Sequence, residues 1–151
     1  MTFKHFTSLA VFVACIAWTS SLMAAGTEPL KIETAKGSYT FQVEIADNDK
    51  TRAKGLMHRR QMANAHGMLF DFRKSAEVSF WMRNTHISLD MIFIRADGVV
   101  HTIATDTVPL SEKLVPSRGA VRFVLELNAG MSRSIGLKPG DRVVHRRMSS
   151  Q

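Results

Sequence analysis

Apolar residues in this chain recur at every second position, in short runs broken by turn residues. That period restricts most of it to extended backbone. Ser38–Ala46 (SYTFQVEIA) sets Tyr39, Phe41, Val43 and Ile45 on one face, and Val121–Leu127 (VRFVLEL) does the same with Val121, Phe123, Leu125 and Leu127. A helix would scatter these residues around its circumference, whereas a strand gathers them on one side. GMLFDF (67–72), EVSFW (77–81), MIFI (91–94), VVHTIA (99–104) and RVVH (142–145) are shorter strand candidates. Ala96–Gly98 (ADG) reads as a hairpin turn, since Asp-Gly tolerates positive φ. KPGD (138–141) places Pro139 and Gly140 where a type II turn wants them.

Two helices are expected. One starts around Asp47–Asp49 and continues through TRAKGLM, with Ala53, Leu56 and Met57 at helical spacing. The other is a brief turn after Asn128, through MSRSI, stopped by Gly136. The fold class that follows is mainly β: a single compact β-barrel or sandwich-like domain with one or two short helices. Parallel βαβ architecture is disfavoured, because helices do not alternate with the strands. Thr105–Ala120, with Pro109 and Pro116, reads as a long loop of the kind that often carries function.

The first 25 residues read differently. Lys4 precedes an unbroken apolar run, Leu9–Trp18, followed by polar residues and then SLMAAG. This is the pattern of a secretory signal peptide with cleavage near Ala24–Gly26. The run is shorter than the ~20 residues that span a bilayer. Cleavage leaves no membrane span, and an uncut signal would serve as an anchor. The domain expected is 26–151, with its core over about 30–145, exported to the periplasm or secreted. Cys15, the single cysteine, falls in the signal, so the mature chain would hold no disulfide, thiolate nucleophile or cysteine-based zinc site. The formal charge is +7, but the basic residues are scattered and the chain reads as exported, which disfavours nucleic acid as a partner.

Between two apolar runs lies SFWMRNTHISLDMIFI (79–94). Together with GLMHRR (55–60), GMLFDF, ADGVV and FVLELNAG, in that order, it resembles the family catalogued as domain of unknown function number 192, typically small exported or membrane-attached bacterial proteins. The resemblance covers roughly Leu30–Val144. It implies a single, mainly β domain of sandwich or barrel type and no established activity. Ser88 stands where the family usually has Pro, and Phe123 where Tyr is common.

Extended backbone over Glu77–Arg83 would turn Val78, Phe80 and Met82 to the core and present Ser79, Trp81 and Arg83. A flat indole beside a planar guanidinium can hold a sugar ring or a carboxylate. Asn84 and Thr85 could add hydrogen bonds at the strand end, and Asp90 could orient Arg83 or accept from a ligand. Arg59 is a further candidate for the same region. The leading expectation is therefore a domain that binds a small polar or anionic ligand, or an envelope component, through Trp81, Arg83, Asn84, Asp90 and Arg59. The competing expectation is scaffold: an Arg83–Asp90 ion pair and a capped turn. An enzymatic role is left open, with binding the better-supported reading. Its form would be an acid/base hydrolase acting on an envelope glycan through Asp90 and Glu126. Methionines and histidines crowd the same third of the chain, which suits copper(I) by ligand type. Core packing explains most of the methionines and no histidine pair has metal spacing, so Met82 and His86 are weak candidates. No cofactor is implied, and nothing in the sequence sets an oligomeric state.

Overall fold

The structure is a computed structural model that describes residues 26–148. The expected signal peptide and Cys15 lie outside the described residues.

Nine strands and two short helices follow in the order β1 (Thr27–Thr34), β2 (Gly37–Ala46), α1 (Asp49–Lys54), β3 (His66–Ala76), β4 (Ser79–Phe80), β5 (Leu89–Ile94), β6 (Val100–Ala104), β7 (Val115–Pro116), β8 (Val121–Asn128), α2 (Met131–Ile135) and β9 (Arg142–Val144). Seven strands form one sheet in the order β6-β5-β8-β3-β2-β1-β9, and β4 and β7 pair as a separate ribbon. The sheet curls until its edges meet. Val99 bridges to Arg142, the Val143 amide donates to the Gly98 carbonyl at 2.8 Å, and the Val100 amide donates to the Asp141 carbonyl at 2.9 Å. The expected barrel-like, mainly β domain is what forms.

Alternation explains the two cores. Phe41, Val43, Leu69, Ile92, Phe123 and Leu125 point into the curl, where Ile135 and Leu137 close one end. The central strands β3, β5 and β8 also bury their outer face, through Met68, Phe70, Leu89, Met91, Phe93 and Val124, under Leu56 and Met82. Burial on both faces is why MIFI reads as a continuous apolar run rather than an alternating one.

Several local expectations hold. Gly136 caps α2 in the left-handed region (φ 70°), and Gly140 (φ 97°) sits in a turn closed by the Asp141 amide on the Lys138 carbonyl at 3.1 Å. Others are corrected. α1 starts as expected, with Asn48 and Thr51 forming a reciprocal capping box, but it ends at Lys54. Gly55 leaves helical geometry at φ 48°, ψ −137°, so Leu56 and Met57 belong to the chain's exit rather than to the helix. At ADG only Gly98 takes positive φ (83°), so the turn needs one left-handed residue and not two. β2 and β3 pair in parallel, Val43 beside Gly67, with α1 on the crossover. One parallel pair therefore occurs within an otherwise antiparallel sheet. The Thr105–Ala120 segment contains β7, which holds β4 in place through Ser79–Pro116 and Phe80–Val115.

Candidate functional site

The outer face of the sheet is covered only in part. Where the exit of α1 approaches β4, a cleft of about 230 Å³ opens, lined by Gly55, Leu56, Met57, Phe70, Phe72, Ser79, Phe80, Trp81, Thr85 and Glu126, with Arg52, Ala53 and Lys54 along the α1 side. Its aromatic wall is built around Phe80. That ring meets Phe70, Phe72 and Phe93 edge-on at centroid distances of 5.1, 6.1 and 6.2 Å, the arrangement that ring quadrupoles favour. Glycine at 55 lets the chain pass close to this wall, since a Cβ there would stand 3.2 Å from Phe70 Cζ.

The FWMRNT stretch divides as its alternation indicates. Met82 is buried, Phe80 packs on the core, and Trp81 is 44 % exposed on the cleft wall. The Arg83 guanidinium lies 5.3 Å from the Trp81 ring centroid and pairs with Glu112 at 3.3 Å, both side chains being more than half exposed. Asn84 adopts the left-handed conformation (φ 56°), its carbonyl accepts from the His58 amide at 2.8 Å, and its amide points to Met57 Sδ at 3.9 Å. Asn84 thus ties the GLMH exit of α1 to the turn after Trp81, fixing two walls of the cleft relative to each other.

Asp90 requires correction. It is 0 % exposed and accepts from the backbone amides of Asp106 (3.0 Å), Gly130 (3.2 Å) and Ser132 (2.8 Å). It ties the start of α2 and the Thr105 loop to β5, and it neither pairs with Arg83 nor enters the cleft. Register puts Asp90 opposite Leu127 on the inner face, while Glu126 stands between Met68 and Met91 on the outer one. The two carboxyls lie on opposite faces of the sheet and cannot flank one substrate. Arg59 is engaged elsewhere, by Glu44 at 2.6 Å. The Met82–His86 metal candidates also separate. Met82 packs in the outer core with its sulfur 3.2 Å from the Thr107 hydroxyl, and His86 is exposed. Among the described residues no group of three or more His, Cys, Asp or Glu is arranged to hold a metal.

Glu126 is the residue whose position sequence alone does not give. It is 4 % exposed and lines the cleft from its floor, with no hydrogen bond or ion pair to its carboxyl among the described residues. Desolvation by burial pushes its pKa up from 4.5 to about 8, so near neutrality it is largely the uncharged acid. The other buried acids are provided for. Burial pushes the Asp71 carboxyl up too, but hydrogen bonds from Arg122 and the Arg73 amide outweigh that and hold it below its ordinary value. In the sequence it looks like an ordinary outward residue of VRFVLEL, on the face it shares with Arg122 and Val124.

The fold defines the chain as a small barrel-like, mainly β domain, and the comparisons with known proteins give its family. The model of the family named domain of unknown function 192, described as an uncharacterized ACR, matches residues 31–145, and the chain belongs to that family. A solved structure from Sinorhizobium meliloti 1021, provisionally described as a transcription regulator, is 47 % identical, with a TM-score of 0.76 over 78 % of this chain and 92 % of that one. A protein of unknown function from Novosphingobium aromaticivorans DSM 12444 is 38 % identical, with a TM-score of 0.77 over 79 % of this chain and 85 % of that one. No curated protein matches the chain.

Proposed function

We propose that this is a ligand-binding domain, acting outside the cytoplasm, that receives a small molecule in the cleft between α1 and Trp81. One observation carries the reading: an unpartnered, buried carboxyl forms the floor of an aromatic-walled opening. At 4 % exposure and with no protein partner, the carboxyl is costly to ionise, so the fold keeps Glu126 at the expense of its own stability near and above neutrality. Such groups concentrate at functional sites. A concave, mostly apolar lining with a few polar groups is the usual form of a small-molecule site. Recognition would then rest on apolar contact with Phe70, Phe72, Phe80 and Trp81 and on one group at Glu126. The more polar set built on Arg83, Asn84, Asp90 and Arg59 gives way, because Arg83, Asp90 and Arg59 are engaged by protein partners and Asn84 fixes the cleft walls. Export is supported by the Lys4 to Gly26 pattern.

The transcription-regulator description of the Sinorhizobium relative is not carried over. The two helices among the described residues have six and five residues, too short to read a major groove as a recognition helix does.

Fragment screening by ligand-observed NMR tests the reading, with the protein beside Ala53→Trp, which plugs the mouth from an exposed position, and Trp81→Ala. Hits that both variants lose, at unchanged melting temperature, support the cleft. Hits that persist in both place binding elsewhere.

A further inference from the structure

Of the buried acids, Asp90 receives three backbone amides and Asp71 receives Arg122, while Glu126 faces only the cleft. Its neighbours across the sheet, Met68 on β3 and Met91 on β5, bring no charge and no strong donor. What the carboxyl lacks must come from whatever fills the opening. An anionic group would take one hydrogen bond from the protonated acid and be repelled once the acid ionises. A neutral hydroxyl or amide would share one ordinary hydrogen bond with the acid. An ammonium group gains more, through charge-assisted hydrogen bonds to the carboxylate.

We propose that the cleft takes a small organic amine, with its apolar body against Phe70, Phe72, Phe80 and Trp81 and its ammonium group on Glu126. This deepens the ligand-binding reading and rests on it. Arg52 and Lys54 are the cations facing the cleft, both on α1. Arg52 is neutralised by Asp49 at 2.5 Å and donates to the Asp71 carbonyl at 2.9 Å. Lys54 is exposed, where water and salt screen it. Neither opposes a cation at the floor as strongly as the adjacent carboxylate attracts it.

The proposal fixes a proton balance. Near neutrality Glu126 is mostly the acid and a simple alkylamine is already the ammonium ion. On binding, the carboxyl O–H breaks, its proton goes to solvent, and the carboxylate so formed pairs with the ammonium group. No other bond changes. Amine affinity must therefore rise by about tenfold per pH unit up to the pKa of the acid, then level off. A neutral ligand that accepts a hydrogen bond from the acid gives the opposite profile, flat at low pH and falling once Glu126 ionises.

Isothermal titration of the full chain with 2-phenylethylamine, and with its neutral isostere 2-phenylethanol, reads this directly. Titrations from pH 6 to 8, in two buffers of different ionisation enthalpy, count the protons. The expected result is amine affinity rising about tenfold per unit, with close to one proton released at pH 6. The amine should exceed the alcohol by at least about tenfold at pH 8. Glu126→Gln should abolish the slope and bring the amine to the alcohol's level, while Trp81→Ala weakens both ligands and leaves the slope. If the alcohol binds as tightly as the amine at pH 8, the amine assignment falls and the cleft stands as a site for neutral molecules. If neither binds, the amine assignment also falls, and the fragment screen decides separately whether the cleft binds anything.

Discussion

Replacing Glu126 by glutamine should make the protein more stable, by an amount that grows with pH. The folded carboxyl titrates at about 8 and its ordinary value is 4.5. Because the folded value is the higher one, the folded state holds its proton more tightly than the unfolded chain. That contribution is fully present below 4.5 and is lost as pH rises through 8. Each unit of difference is worth about 1.4 kcal/mol, so the whole span amounts to roughly 5 kcal/mol and the part lost by pH 7 to roughly 3 kcal/mol. Glutamine keeps the size and a hydrogen-bonding end but cannot ionise. The difference in unfolding free energy between Glu126→Gln and the unaltered protein should therefore be small at pH 4.5 and reach several kcal/mol at pH 8.5. Urea unfolding at constant ionic strength across that range measures it, with the denaturant slope checked for constancy. Every other titrating group is common to both proteins and cancels in the difference. Parallel curves would refute the reasoning, because they would mean that Glu126 ionises in the folded protein as easily as in the unfolded one.

Other substitutions separate scaffold from surface. Arg83→Ala should cost less than about 1 kcal/mol in urea unfolding, since the Arg83–Glu112 pair is exposed on both sides. Asp90→Ala, in the same assay, should cost about 1–3 kcal/mol, because it removes the acceptor of three backbone amides, of which the Ser132 amide is buried and has no water to turn to. Gly98→Ala should destabilise by at least about 1 kcal/mol. Gly98 sits at φ 83° and an added Cβ would lie 2.4 Å from the Val143 carbonyl oxygen, so hydrogen exchange at the Val100 and Val143 amides should speed up before the rest of the sheet is affected.

The sequence carries the parts of the fold that depend on period and on turn chemistry. The alternation of Tyr39 to Ile45 and of Val121 to Leu127, the Pro139–Gly140 turn and the Gly136 cap are local features, and they form as their residues indicate. The division of Phe80 and Met82 from Trp81 and Arg83 was legible for the same reason. β1 is harder to see, because TEPLKIET mixes charge and proline into a strand whose apolar signal is Leu30 and Ile32 alone. The parallel β2–β3 pair is invisible to any local pattern. Partnership was the main thing missing. Asp90 sits in a polar-looking motif, yet its partners are amides 16 to 42 residues away, which leave no trace in side-chain spelling. Glu126 looks like an ordinary outward residue of an alternating strand. Only the cover placed over the outer face by α1's exit and β4 turns it into a buried acid.

The closure of the sheet also says something about how the chain must reach this state. β1 has β2 on one side, through a tight connection at Gly37, and β9 on the other, where Lys31 meets Val144 and Glu33 meets Arg142. β1 and β2 are joined by a short connection and can pair early, but the far edge of β1 stays open until β9, near the other end of the described residues, has docked. An unpaired edge is a template for strands of other molecules, and long-range pairings of this kind slow folding. The folding chain therefore keeps an uncovered strand until β9 arrives, and a clipped product lacking Arg142–Val144 keeps that edge permanently available for aggregation.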